Sequence, residues 1–222
     1  MPSSEFPIAD ISKQRFERYL QWADGNYEQA VELYLFNIQL SSEFYFPLQT
    51  LEVTLRNRIN QVMNEAYGDG WLTDKKFPFV RTHESKLDKE INSLRKIKLE
   101  VTDAILIAQI NFSFWTSFFA NKYDPQWRVT LYKTIVPEQR STISRKILEE
   151  KLEGLKKLRN RIAHHEPIIQ FDLECYYKDV FNLIFWISPV CANWCHSNSG
   201  LESKIQQWQK SSLKNSSPRV QG

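Results

Sequence analysis

A chain of 222 residues is long enough to bury one full hydrophobic core. It carries 29 Lys and Arg residues against 26 Asp and Glu residues, and the net charge of +3 is too small by itself to indicate a nucleic-acid-binding protein. Glycines are few and helix-forming residues are frequent, and the three cysteines lie late in the chain, which argues against a disulfide-stabilised extracellular domain. We therefore expect a helical protein of the reducing cytoplasm, without a signal peptide.

The first half of the chain predicts three helices after a flexible segment over residues 1–10. Ser12 is a candidate N-cap for the first helix, and Asn26 is a candidate N-cap for the second. A third helix should follow Pro47, which predicts a boundary, and end at Gly68 as its C-cap. The apolar face of the first helix should be Phe16, Tyr19 and Leu20, and that of the second should be Val31, Leu35, Ile38 and Phe44.

The second half predicts a polar helix over about 83–99 and an apolar helix over about 102–120. Ser141 or Thr142 should begin the next helix, and Pro167 should interrupt it before another begins near Asp172. Uncharged stretches at 104–121 and 180–201 contain several polar residues, so buried helices explain them better than membrane spans. The prediction is an all-α, single-domain bundle of about eight helices over residues 11–210, with a disordered tail at 211–222.

Positive charge is concentrated in two segments. Residues 140–165 contain eight Lys and Arg residues against three Glu residues. A second excess follows Glu202, at Lys204, Lys210, Lys214 and Arg219. Either segment could be a solvated face, and either could attract phosphate groups.

The pentapeptide LRNRI occurs twice, at residues 55–59 and 158–162. In the second copy, Arg159 lies about 40° from the centre of the apolar stripe of its helix, where a guanidinium is costly unless it is paired. In the first copy, Arg56 lies at the stripe margin, four residues after Glu52, so an ion pair on a helix edge explains it. The apolar stripe of the helix that bears the second copy is Leu148, Leu152, Leu155, Leu158 and Ile162.

Only the second pentapeptide continues into His164-His165-Glu166-Pro167. The helix should end near His164, which would gather a permanent cation, the Asn160 amide and an imidazole at one helix end. Arginine can hold a phosphate through two hydrogen bonds, and an imidazole can move protons near neutral pH. These groups suit RNA cleavage by the 2′-hydroxyl. A structural interpretation remains open, because cations at a helix C-terminus also stabilise the helix dipole.

Three other groups of residues have simpler explanations. Cys191, Cys195 and His196 lack further ligands at the spacing of a zinc site, so buried thiols are favoured. His83 lies near the start of a polar helix and is expected to be solvated. The aromatic residues between 112 and 119 could stack on bases, but an uncharged helix favours core packing.

The string LRNRIAHHEP resembles the motif of the HEPN (higher eukaryotes and prokaryotes nucleotide-binding) superfamily, in which a short spacer separates an Arg from a His and commonly begins with a polar residue, here Asn160. With LEVTLRNRI and FSFWTSFF, three stretches within residues 30–190 resemble the Abi-like (abortive-infection) branch of that superfamily. The resemblance implies a helical bundle and an endoribonuclease that needs no metal or cofactor. It assigns a phosphate-stabilising role to Arg159 and acid-base catalysis to His164.

The resemblance also implies supporting residues and partners. Asn160 would orient the phosphate, and Arg161, His165, Glu52, Arg56 and Asn57 would support the site or bind RNA. If the earlier polar helix packs beside the motif, Glu52 would be the counter-ion of Arg159. A homodimer would bring two motifs into one composite site, and the role would be that of a toxin or of phage defence. Some HEPN toxins carry a Tyr two residues after the His, and a partner enzyme inactivates them by attaching nucleotides to it. This chain has Glu166 at that position, which argues against inactivation by this route and leaves open an antitoxin of another kind. The alternative is an inactive HEPN-fold module that binds RNA or a protein.

Overall fold

The computed structural model describes residues 6–211 and Leu213. Within them the chain forms eleven α-helices and no strand, so the expected all-α, single-domain fold is confirmed. The helix number differs from the expected eight for three reasons: some helices were not predicted, the predicted helix over 102–120 is broken, and the two helices predicted on either side of Pro47 form one helix. The helices are α1 Ile8–Ile11, α2 Lys13–Trp22, α3 Tyr27–Tyr67, α4 Arg81–Lys96, α5 Asp103–Gln109, α6 Phe112–Thr116, α7 Asp124–Val129, α8 Arg145–Ala163, α9 Leu173–Ile187, α10 Pro189–Asn198 and α11 Leu201–Lys210.

The N-terminal segment has more structure than expected over residues 6–10. α1 lies in it, and the Phe6 ring packs 4.9 Å from that of Phe16 and 5.1 Å from that of Tyr34. Ser12 precedes α2, but its side chain makes no capping hydrogen bond. Residues 1–5, and all of the predicted tail except Ser211 and Leu213, lie outside the described residues.

The 41-residue helix α3 is the central element, and it packs against α2, α8, α9, α10 and α11. As predicted, Asn26 caps it by accepting a hydrogen bond from the Gln29 amide, and Gly68 ends it at φ +76°. The predicted boundary at Pro47 is wrong, because Pro47 is buried inside this helix. A proline costs a helix interior about 3 kcal/mol, and packing on several sides of α3 outweighs that cost.

The buried face of the first part of α3 also differs from the prediction. Leu35 and Ile38 are 47 % and 48 % exposed, whereas Leu33, Leu40 and Phe44 are buried. The inward face is therefore rotated about the helix axis relative to the predicted stripe, of which only Phe44 is buried. The periodicity of apolar residues did not distinguish the two faces, because both carry large aliphatic side chains.

The predicted apolar helix over 102–120 divides into α5, α6 and a 3₁₀ turn. Asn111 interrupts it, because its side chain accepts a hydrogen bond from the Phe114 amide and so begins a new helix. The aromatic side chains of this segment are buried, as core packing requires: Phe112, Phe114, Trp115, Phe118 and Phe119. Across residues 6–211 and Leu213, no helix has the length and apolar character needed to cross a bilayer.

The prediction that His83 is solvated is wrong. Its ring is only 1 % exposed, with Nδ1 2.7 Å from the Tyr123 hydroxyl and Nε2 hydrogen-bonded to the Ser117 hydroxyl. The first helical turn of α4 faces inward because it covers the aromatic core around Phe118. Burial, helped by the positive charges of Lys122 and Lys86, lowers the pKa of His83 from 6.5 to about 3.

Acidification should therefore destabilise the protein through His83. The folded-state pKa lies below the unfolded one, so the stabilisation is complete above pH 6.5 and is lost as pH falls towards 3. The free energy of unfolding should fall by up to about 1.4 kcal/mol per pH unit in this window. Denaturant melts of wild type and His83→Gln between about pH 7 and 5, above most carboxylate pKa values, measure the effect. Parallel pH profiles for the two proteins would contradict it.

Candidate functional site

Helix α8 carries the second pentapeptide towards its C-terminal end. The helix begins one turn later than predicted, because Ser144 is the residue whose side chain caps it, at 3.3 Å from the Ile147 amide. Thr142 instead closes a turn, since its hydroxyl donates to the Gln139 carbonyl. The four leucines of the predicted stripe are buried against the core: Leu148, Leu152, Leu155 and Leu158. The fifth member, Ile162, is half-buried.

As predicted, α8 ends at His164. The amide of His165 donates to the Ile162 carbonyl at 3.0 Å, and the amide of Glu166 donates to the Arg161 carbonyl at 2.8 Å. His165 adopts a left-handed conformation at φ +57°, which completes a Schellman motif without glycine. The Arg161 guanidinium forms an ion pair with Glu166 at 2.9 Å. In many Schellman motifs the residues at these two positions make an apolar contact instead. The His164 ring is exposed at the resulting helix end.

Two contacts hold the segment after α8 in place. The buried Asn37 side chain of α3 accepts a hydrogen bond from the Ile168 amide at 2.7 Å. Arg15 of α2 extends its guanidinium to 3.5 Å from the His164 carbonyl. Because Pro167 and Ile168 are also buried, the backbone on both sides of the two histidines is anchored.

A groove of about 330 Å³ lies between α3 and α8 and is lined by Glu52, Arg56 and Arg159. The Arg159 guanidinium lies 3.9 Å from the Glu52 carboxylate, and the two side chains are 42 % and 22 % exposed. Arg159 therefore has both features that offset the cost of a guanidinium on the apolar face of α8, a carboxylate partner and a polar groove. The groove opens that edge of the helix to solvent, so the guanidinium does not have to be buried.

The first pentapeptide contributes to the same groove. Glu52 forms its ion pair with Arg159 across the helices, as the resemblance suggested, and not with Arg56 along α3, as the spacing of the two residues suggested. The Nε atom of Arg56 is buried and has no hydrogen-bond partner among the described residues. Arg58, the second arginine of this copy, is structural, since it donates to the Lys133 carbonyl at 2.8 Å. Two guanidinium groups and one carboxylate therefore meet in one groove, with a net positive charge.

The remaining predicted residues lie elsewhere around the helix end. Arg161 and His165 line a second cleft, on the other side of α8. Asn160 is exposed, and its carbonyl accepts the hydrogen bond of the His164 amide at 2.9 Å. Asn57 is exposed on α3. Ala163 lines the groove and His165 lines the cleft, so His164 lies between the two in the chain.

Neither cavity contains a group of metal ligands. Over residues 6–211 and Leu213, no three His, Cys, Asp or Glu side chains are arranged to hold a metal ion. Of the two cysteines considered above, Cys195 is buried and Cys191 contacts the Thr54 hydroxyl at 3.2 Å. His196 instead contacts the Tyr177 hydroxyl at 3.1 Å.

Sequence reasoning missed the residues of α2 that lie beside the motif. Arg15 and Arg18 line the second cleft together with Arg161 and His165. Their spacing of three residues places them on one side of α2, which was the only local signal. Arg15 is 149 residues from His164 in sequence, so their proximity depends on the packing of α2 against α3.

Comparisons with known proteins bear on both the fold and the site. The family model of Abi-like proteins matches residues 6–170, a range that includes both pentapeptides and the two histidines. Neither the curated proteins nor the solved structures contain a match to this chain. Because the family model covers most of the 222 residues, the chain belongs to the Abi-like protein family, and its membership suggests a role in abortive infection, a form of phage defence.

Proposed function

We propose that the protein is an RNA endonuclease of the HEPN type that acts in abortive infection. The observation that carries this proposal is the convergence of Arg159 and Arg56 on one groove that extends to Ala163, the residue before the exposed His164. A net positive groove beside an accessible imidazole provides the two functions that RNA cleavage needs, which are phosphate binding and proton transfer. Both pentapeptides supply an arginine to it, which gives their shared sequence a functional explanation.

The phosphate-binding part of the site would be formed by Arg159 and Arg56. A phosphate between the two guanidinium groups would give the buried Nε atom of Arg56 a hydrogen-bond acceptor. Glu52 would compete with the phosphate for Arg159, but at 3.9 Å and with both side chains partly exposed their ion pair is weak. Arg159 can therefore turn to the phosphate at little cost and stabilise the charge that develops there.

His164 would transfer the protons. In the reaction, the 2′-oxygen forms a bond to phosphorus as the bond to the 5′-oxygen breaks, and a proton moves from the 2′-hydroxyl to a base while an acid protonates the 5′-oxygen. The products are a 2′,3′-cyclic phosphate and a 5′-hydroxyl. Asn160, which is one helical turn before His164, would orient the phosphate. These steps use side chains of the protein only.

One chain supplies one imidazole beside the groove, whereas the reaction benefits from both a base and an acid. A two-fold dimer would place the same surface of two chains face to face and so would combine two His164 residues. We therefore propose a homodimer in which both chains contribute to the site. Sedimentation should give about twice the chain mass of 26.4 kDa, and a fully active monomer would contradict the composite site.

One observation favours a second function, that of an inactive module that binds RNA or a protein. Within the described part of the chain, the His164 side chain makes no hydrogen bond that would orient its ring. A catalytic imidazole is commonly held by a partner, so binding without cleavage would suit an unrestrained ring. The two functions differ in one outcome, which is the appearance of cut RNA.

The test is incubation of the purified protein with total RNA in the presence of EDTA. The proposal predicts fragments that end in 2′,3′-cyclic phosphate and begin with 5′-hydroxyl. Fragments with 3′-hydroxyl ends, or strict dependence on magnesium, would contradict the mechanism. Binding of RNA without any cleavage would support the second function.

A further inference from the structure

A larger cavity lies on the other side of the α8 terminus. This cleft, of about 800 Å³, is formed by α2 and by the segment that follows α8. Arg159 and Arg161 are two residues apart, so their side chains leave α8 in roughly opposite directions. The groove at Arg159 and the cleft at Arg161 therefore flank one helix end.

The cleft carries positive charge that other side chains do not neutralise. Arg15 and Arg18 are exposed, and in the part of the chain that is described neither has a carboxylate within ion-pair distance. Arg161 is different, because Glu166 forms an ion pair with it at 2.9 Å. Two arginines without ion pairs, at a spacing of three residues, present adjacent guanidinium groups along one side of α2, as two neighbouring phosphates would require.

Aromatic rings lie beside these arginines. Trp22 is half-buried in the wall of the cleft, one helical turn beyond Arg18 on the same side of α2. Its partner in the core is Tyr19, at 5.3 Å between ring centroids and in an edge-to-face arrangement. The Arg161 guanidinium lies 4.8 Å from the centre of the Phe171 ring, which fixes the opposite wall. Planar rings next to phosphate-binding cations are the combination that holds single-stranded nucleic acid.

The cleft is continuous with the helix end that bears His164. Arg15 reaches the His164 carbonyl at 3.5 Å, and the next residue, His165, lines the cleft. An RNA strand bound in the groove and extended past His164 would therefore reach the side of the helix end on which the cleft lies. The volume of about 800 Å³ suits about one or two nucleotides, whereas an A-form duplex would present its backbone and keep its bases away from the rings.

We infer that this cleft binds the single-stranded RNA next to the scissile phosphate, with Arg15 and Arg18 contacting its phosphates and Trp22 stacking on a base. The inference rests on the proposed function for the position of the scissile phosphate in the groove at Arg159. Binding at the cleft does not itself require cleavage. The two claims can therefore fail separately.

The test measures binding in a His164→Ala background, so that the RNA stays intact. The probe is a fluorescein-labelled single-stranded RNA of about ten nucleotides, and anisotropy is recorded at increasing KCl. Arg15→Gln with Arg18→Gln should weaken binding about tenfold or more. It should also reduce the slope of log K against log salt by about 1.4, since each contact with a single-strand phosphate contributes about 0.7. Trp22→Leu should weaken binding about five- to a hundredfold and leave the slope unchanged.

The matched control is Lys89→Gln with Arg95→Gln, which removes two exposed positive charges from α4 outside the cleft. It should leave both the affinity and the salt slope close to those of the parent. Thermal melts of all variants identify any loss of fold, which matters most for the half-buried Trp22.

Three results would overturn the inference. The first is equal affinity and equal salt slope for the Arg15/Arg18 variant and its control. The others are stronger binding of a duplex of the same sequence, and displacement of the RNA by poly-glutamate at a lower concentration than by unlabelled RNA. If wild-type protein cleaves RNA while the Arg15/Arg18 variant binds like the control, the cleft is excluded and the proposed function stands. If RNA binding depends on Arg15 and Arg18 but wild type never cuts RNA, the cleft stands and the ribonuclease proposal fails.

Discussion

Replacing His164 with alanine should abolish RNA cleavage and leave the fold intact. His164 is exposed at the C-cap of α8, so truncation removes no core contact and should change the free energy of unfolding by about 0.5 kcal/mol or less. Loss of a general acid or base reduces the rate by about 10²- to 10⁴-fold. Single-turnover cleavage and thermal melting of the variant measure the two quantities. Overexpression in a bacterial host adds a third readout, because wild type should slow growth and the variant should not.

The matched control for this experiment is His196→Asn. It removes another partly exposed imidazole, on α10, where the ring contacts Tyr177 and Glu202. This variant should cleave RNA like wild type. Equal growth inhibition and equal cleavage by wild type and His164→Ala would remove His164 from the mechanism and favour a binding module.

Arg159→Ala should reduce the rate strongly with little loss of stability. Its ion pair with Glu52 spans 3.9 Å and both side chains are partly exposed, so the pair contributes at most about 1 kcal/mol to folding. The melting temperature should therefore fall by no more than about 2–4 °C. Removal of a group that stabilises developing charge costs about 10²- to 10³-fold in rate. Cleavage rates and melting curves of the same preparation separate the two effects.

Two further variants sharpen this comparison. Arg159→Lys keeps the charge but cannot form two parallel hydrogen bonds with a phosphate, so it should recover stability and only part of the rate. Arg56→Ala should also slow cleavage, since Arg56 faces the same groove. A fall of the melting temperature by well over 4 °C in Arg159→Ala, with a normal rate for the folded fraction, would show a structural role instead.

Local features of the chain could be predicted well from sequence. The end of α8 at His164, the Asn26 cap and the Gly68 terminus depend on residues close in sequence, and all three predictions are confirmed. The aromatic residues around Phe118 were correctly assigned to the core, because a helix without charged residues has no charged face to expose to water. Such features depend on backbone chemistry within one or two turns.

Features that depend on how helices cross were predicted less well. Periodicity placed Arg159 on the apolar face of α8, but it did not indicate the groove between α3 and α8 that opens this edge of the helix to solvent. Pro47 predicted a break that packing of α3 on several sides overrides. His83 was expected to be solvated, yet Ser117 and Tyr123 form hydrogen bonds with both of its ring nitrogens. Each of these outcomes requires a partner that is distant in sequence.

The two pentapeptides show both what the sequence predicts and what it does not predict. Their different roles were predicted from the histidines that follow only the second copy, and that copy does end its helix at the exposed His164. The assignment of Glu52 as a partner of Arg159 is also consistent with the structure, although the pair is looser than expected. The entry of Arg56 into the same groove, and of Arg15 and Arg18 into the neighbouring cleft, could not be predicted, because no local pattern indicates which helices meet there.

The central claim is that the RNA cleaves itself through its 2′-hydroxyl while Arg159 and His164 assist. The most direct test uses a defined RNA oligonucleotide that wild-type protein cuts at one mapped position in EDTA. A second oligonucleotide differs by a single 2′-deoxy nucleotide on the 5′ side of that position, which removes the attacking oxygen and leaves every other phosphate unchanged. The account predicts that the first is cut to a 2′,3′-cyclic phosphate and that the second stays intact at the mapped position. Cleavage of both at the same position would contradict it.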